Sequence, residues 1–128
     1  MNLKKYYRAL LAGNEELAGI VGVDNILAAY PQEVKTFPLV VYEDNNSSDV
    51  AFSDNLPDGV NASVRIHIFS KTLKGYPKAE DIAELVRAIF RQDYWACTLS
   101  EDTADVDDNI RHRIMDFTRS FFGVNNNN

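Results

Sequence analysis

Two histidines, one cysteine and a scatter of carboxylates are the side chains of this sequence best suited to chemistry near neutral pH. His112 stands between two arginines and His67 two residues after Arg65, each inside an alternating run, and their separation of 45 positions gives no metal-ligand spacing. A Cys–His enzyme would need Cys97 as nucleophile, a histidine as base and a third group to orient it. Nothing in the spacing brings these together, so Cys97 is expected to be a small buried hydrophobe and the chain is expected not to be an enzyme. The segment "DNLPDG", Asp54 to Gly59, begins like a calcium loop, with acids at positions one and five and glycine at six. Position three is Leu56 and position twelve is Arg65, where such a loop requires a carboxylate, so a turn is expected instead. Glu101, Asp102, Asp105, Asp107 and Asp108 form an acidic run that reads as a solvated, self-repelling loop. "GYP" at 75 to 77 offers one glycine and a proline without a donor N–H, which makes no phosphate cradle. No metal and no cofactor is expected.

The elements that must position these residues follow from periodicity. Leu3, Tyr6, Tyr7, Leu10 and Leu11 form one helical stripe with Asn2 as N-cap, and "NEELAGIVG" gives a second short helical turn capped by Asn14. "NILAAYP" and "FPLVVYED" read as short strands, with Pro31 and Pro38 at their edges. In "VRIHIFSKTLKGYPKAEDIAELVRAIF" (residues 64 to 90) an alternating strand passes through a Gly-Tyr-Pro break into a helix. Ala62, Val64, Ile66 and Ile68 share one strand face; Arg65, His67 and Phe69 share the other. The helix opens at Pro77 and buries Ala79, Ile82, Ala83, Val86, Ile89 and Phe90. "YWACTLSEDTADV" and "IRHRIMDFTRSFFGV" are two last strands, forming a hairpin through "DVDDN". The order α-β-β-β-α-β-β predicts an α+β fold, a mostly antiparallel or mixed sheet of about four to five strands with two helices on one face. Residues 1–122 are expected to form one domain and 123–128, ending in "NNNN", a flexible C-terminal tail.

Residues 44 to 60, "DNNSSDVAFSDNLPDGV", are rich in turn-forming types and read as a long mobile loop, the first place to look for a partner-binding element. Asp49, Phe52, Asp54 and Asp58 are its candidate contacts. Arg111, Arg113 and Arg119 share the parity of one strand. They read as a solvated row or, alternatively, as an interface or an ion-pair row with acidic neighbours.

At 128 residues the chain fits a single domain, and its 45% hydrophobic and 25% charged residues describe an ordinary globular protein. Acids outnumber bases 19 to 13 for a net charge of −6, which disfavours stable nucleic-acid binding. No apolar run approaches the roughly 18 residues that span a bilayer, and "MNLKKYYRALLAG" interleaves charge where a secretory core would be continuous, so a cytoplasmic chain without membrane contact is expected.

Taken in order, the N-terminal helix, "LAGIVG" at 17 to 22, "YPQ" at 30 to 32, "FPLVVYED", "VRIHIFSKTLKGYPKAEDIAELVRAIF" and "RHRIMDFTRSFF" resemble the small tail-completion (tail-terminator, head-tail joining) proteins of long-tailed bacteriophages and prophages. The similarity runs from residue 3 to residue 122, and "NNNN" has no counterpart expected in it. It implies a structural virion protein, assembled in the bacterial cytoplasm, whose copies form a homo-oligomeric ring, typically a hexamer, at the head–tail interface. Such a ring would cap the tail tube, contact the tube protein and the head connector or head-closure protein, and let DNA pass. The competing readings are another neck protein (head-closure or connector adaptor) and a cellular α+β ligand-binding domain.

Overall fold

The computed structural model describes residues 2–50, 59–103 and 109–122. Two short helices come first, α1 (Leu3–Ala12) and α2 (Glu15–Val21). Asparagines start both: the Asn2 side chain accepts from the Lys5 N–H and that of Asn14 from the Leu17 N–H. Gly22, at φ +89°, ends α2 in a conformation that a side chain would strain. The "LAGIV" segment is thus a full helix, and three helices stand where two were expected. Asn14 capping and the Glu15–Glu16 pair in the first turn supply what its seven residues lack in length.

The sheet has six strands among the described residues: β1 (Ile26–Leu27), β2 (Leu39–Asp44), β3 (Ser48–Val50), β4 (Gly59–Lys71), β5 (Ala96–Asp102) and β6 (Ile110–Phe122). Its order is β1-β2-β4-β6-β5, with β3 paired to the start of β4 beyond the end of β2. All pairings are antiparallel except β1 with β2, so the sheet is mixed and the class is α+β. Two expectations change. "NILAAYP" contributes only a two-residue strand, because residues 28 to 38 leave the sheet edge and cross its outer face. The segment from 44 to 60 is not one loop: Asp44 ends β2, Ser48–Val50 pair with Gly59–Asn61, and 51–58 lie outside the described residues.

Helix α3 (Ala79–Gln92) lies on one face of the sheet with α1 and α2. Its stripe of Ala79, Ile82, Ala83, Val86, Ile89 and Phe90 is buried, with Glu80 and Asp81 in the first turn and Arg91 in the last, the order its dipole favours. It starts one residue after Lys78, so Pro77 precedes the helix and gives its carbonyl to the Ser70 hydroxyl. Against it pack the even residues of β4 (Val60 to Ile68) and the odd residues of β6 (Met115, Phe117, Phe121), with Phe90 stacked on Phe117 at 4.4 Å. A smaller cluster of Leu39, Val41 and Phe69 on the opposite face is covered by Val34 and Phe37. The C-terminal half of β4 is therefore buried on both faces.

Tyr7 sits in the main core, 1% exposed, and its hydroxyl has no partner among the described residues. Ser47 is near, but its hydroxyl is committed to the backbone of Ser63. Burial pushes the Tyr7 phenol up to about 12. A raised value means stability that is intact below pH about 10 and lost as the pH climbs toward 12, at about 1.4 kcal/mol per pH unit for this residue. Tyr7→Phe deletes both the orphan hydroxyl and the titration. Chemical denaturation of the variant should give equal or higher stability at pH 7, by up to about 1 kcal/mol, and a shallower alkaline loss.

Candidate functional site

The three arginines of β6 occupy different surroundings. Arg111 is exposed opposite Ser70 and lines a cleft of about 490 Å³ with Lys71, Lys74, Tyr76 and Lys78. Arg113 donates to Asp102 at 3.0 Å and Ser100 at 2.9 Å on β5. Arg119 donates to the Asp93 carbonyl at 2.6 Å, the Asp93 carboxylate at 3.0 Å and the Tyr6 hydroxyl at 3.1 Å, and lies 4.3 Å from the Phe121 ring centroid. Odd parity on β6 is the helix-covered side, so Arg113 and Arg119 spend donors inside the fold and Arg111 stands at the strand's open end.

Asp93 is the knot of that bracing. Its Oδ2 accepts from Tyr6, from the Trp95 indole at 3.0 Å and from Arg119, tying α1, the end of α3 and β6 together. Asp93→Ala removes one acceptor from three donors. The expected loss is about 2–4 kcal/mol of unfolding free energy, read by urea denaturation.

The two ends of β4 carry different exposed charges among the described residues. Asp49, exposed on β3, pairs in register with Val60, and the Asp54 and Asp58 carboxylates follow it in sequence. Phe52, Asp54 and Asp58 lie outside the described residues. At the far end, about 40 Å along a 13-residue strand, four cations, Lys71, Lys74, Lys78 and Arg111, line one cleft with a single carboxylate, Glu80, and make it net basic on an acidic protein. Lys71 packs over Phe37 at 5.1 Å and Tyr76 at 5.6 Å, which leaves Lys74, Lys78 and Arg111 as its more exposed cations.

The histidines, unpromising by their spacing, meet on the outer face. Phe69 is the register partner of His112, and His67 is two residues before it on the same face. His67 Nδ1 lies 3.0 Å from His112 Nε2, and the Tyr30 hydroxyl lies 3.0 Å from the first and 3.2 Å from the second. His67 Nε2 is 2.7 Å from Glu43 Oε1 on β2. Next to them Arg65 grips Asp116 with two bonds, at 2.8 and 2.9 Å, a contact that raises the Arg65 guanidinium further. Sequence reasoning missed Tyr30 and Glu43 altogether. The one available signal was the shared odd parity of Arg65, His67 and Phe69, which the pairing of β2, β4 and β6 turns into a polar patch.

Cys97 is exposed, contrary to expectation, with its thiol against the Leu99 carbonyl at 3.3 Å. It sits at a bulge of the edge strand β5, where Trp95 rather than Cys97 enters the core. Among the described residues no helix is long and apolar enough to cross a membrane.

An open mixed sheet with its helices on one face defines the class, an α+β domain. A chain in the virion of a native gene transfer agent particle shares this fold with a TM-score of 0.63 at 16% identity, over 94% of this chain and 95% of that one. A sequence model described as "Tail completion protein gp17" matches residues 6–119, and the chain belongs to that family, a family of structural proteins of the phage tail. No curated protein matches it.

Proposed function

We propose that this protein is the tail-completion subunit of a long-tailed phage or prophage, which forms a homo-oligomeric ring, six copies in number, at the head–tail interface. The family match over residues 6–119 carries the reading. In it, one face of the ring caps the tail tube protein and the other meets the head connector or head-closure protein. Assembly takes place in the bacterial cytoplasm and the product resides in the virion neck. The role is structural and not enzymatic. Copies of net charge −6 would surround the passing DNA with a repelling wall, so transit needs no stable nucleic-acid binding.

The ring contact we assign is head to tail. Asp49, Phe52, Asp54 and Asp58 of one copy face Arg111, with Lys74 and Lys78, of the next, while Arg113 and Arg119 hold the strand that presents Arg111. Exposed Asp49 beside the first residues of β4 and the Lys74, Lys78 and Arg111 cations at its far end support this arrangement, because a contact between unlike surfaces closes into a ring when its rotation permits. The gene-loss phenotype tests the assignment: tail length separates a terminator from a head-closure protein or connector adaptor, and a virion indifferent to the loss would favour the cellular ligand-binding reading.

A further inference from the structure

We propose that Tyr30 Oη, His67 Nδ1 and His112 Nε2 form a three-donor site for a divalent transition-metal ion of the Zn²⁺ type, with Glu43 holding His67 from behind. The proposal is independent of the ring. Its first support is distance. The three atoms stand 3.0, 3.0 and 3.2 Å apart. Ligands about 2.0–2.1 Å from one ion stand roughly 2.9 Å apart at octahedral angles and roughly 3.4 Å apart at tetrahedral ones, and the observed triangle falls between.

The second support is proton bookkeeping. Glu43 Oε1, 2.7 Å from His67 Nε2, accepts the ring N–H there, which leaves neutral His67 with a single in-plane lone pair on Nδ1. Tyr30 and His112 both approach that lone pair at 3.0 Å, so the three heteroatoms already converge on one point. A cation at the centre takes a lone pair from each of the three atoms, with the Tyr30 phenol proton released to solvent and neutral His112 carrying its proton on Nδ1. Third, a carboxylate behind a histidine is the arrangement that fixes the tautomer and orientation of a metal ligand. The stack of His112 on Phe69, at 4.1 Å and 15°, fixes the other ring. Among the described residues no three of His, Cys, Asp and Glu gather around a point, and here the third donor is a phenol. Imidazole nitrogen selects zinc, copper or nickel over magnesium and calcium. Tyr30 is 43% exposed and gives the ion its way in. Bound there, the ion would staple the crossing segment of residues 28 to 38 to β4 and β6.

The test uses the full chain, stripped with chelator and titrated with Zn²⁺ by calorimetry, with Co²⁺ as a spectroscopic probe. One equivalent should bind per chain and raise the melting temperature by at least about 5 °C at saturation, and Co²⁺ should give visible d–d bands; Mg²⁺ should do neither. His112→Gln should weaken Zn²⁺ binding at least about a hundredfold, and Tyr30→Phe and Glu43→Gln about tenfold each. Tyr30→Phe keeps the exposed ring and removes only the donor, so it remains informative if a histidine variant fails to fold. Absence of Zn²⁺ binding by the native chain, or unchanged affinity in either His112→Gln or Tyr30→Phe, would overturn the site.

Discussion

A phage carrying a stop codon in this gene is expected to package DNA into full heads and to polymerise tail tubes, yet to release no joined particles. A tube subunit elongates because its two faces complement each other, so each addition recreates the surface that accepts the next. A terminator breaks that recursion by offering the tube one face and the connector another. Without it the tube end stays competent to grow, and electron micrographs of the lysate should show overlong tails beside detached full heads. Losing a head-closure protein instead would leave tails of normal length and heads that leak their DNA. Normal tail length in the mutant would therefore sink the terminator assignment and favour the other neck proteins. Ordinary yields of intact virions would remove the protein from the neck altogether.

Much of the fold was legible because the main core is written in simple periods. The stripe of α3 and the alternation of Val64, Ile66 and Ile68 each report one buried face, and those faces meet. The strands of the β5–β6 hairpin were also placed, because their apolar runs flank a polar break. Failures came where burial depends on distant pairing. Ser48–Val50 looks like loop because its composition is polar, and only pairing to Gly59–Asn61 makes it a strand. Cys97 was expected inside by residue type, yet an edge strand with a bulge turned it outward. The meeting of His67 and His112 depends on β6 lying beside β4 in a register that puts His112 opposite Phe69, and Tyr30 arrives from a segment outside the sheet. None of those facts has a local signature. For the arginines of β6, shared parity was correct, but parity alone could not say which side the helices would cover.

Reversing the charge of one end of β4 is expected to dissolve the proposed ring, and reversing both ends in one chain to restore it. Lys74→Glu, Lys78→Glu and Arg111→Glu give a chain acidic at both ends, and all three side chains are exposed, so the fold should be unaffected. Like charges brought face to face cost several kcal/mol, enough to weaken association between copies by at least about a hundredfold. Asp49→Lys, Asp54→Lys and Asp58→Lys give the converse chain, basic at both ends and equally unable to pair with itself. The sixfold variant recovers complementarity with every sign exchanged and should assemble again. Mixing the two triple variants is the sharper measurement: acidic-ended and basic-ended chains can pair only with each other, so they must alternate, and alternation closes in a ring with an even number of subunits. Native mass spectrometry should then detect equal numbers of the two chains in each ring, at moderate salt, with dissociation as salt screens the contact. Should either triple variant assemble like the native protein, or the mixture remain monomeric while the native chain forms rings, the contact between copies lies elsewhere on the surface, and the outer edge of β5, last in the order of the described strands, becomes the next surface to alter.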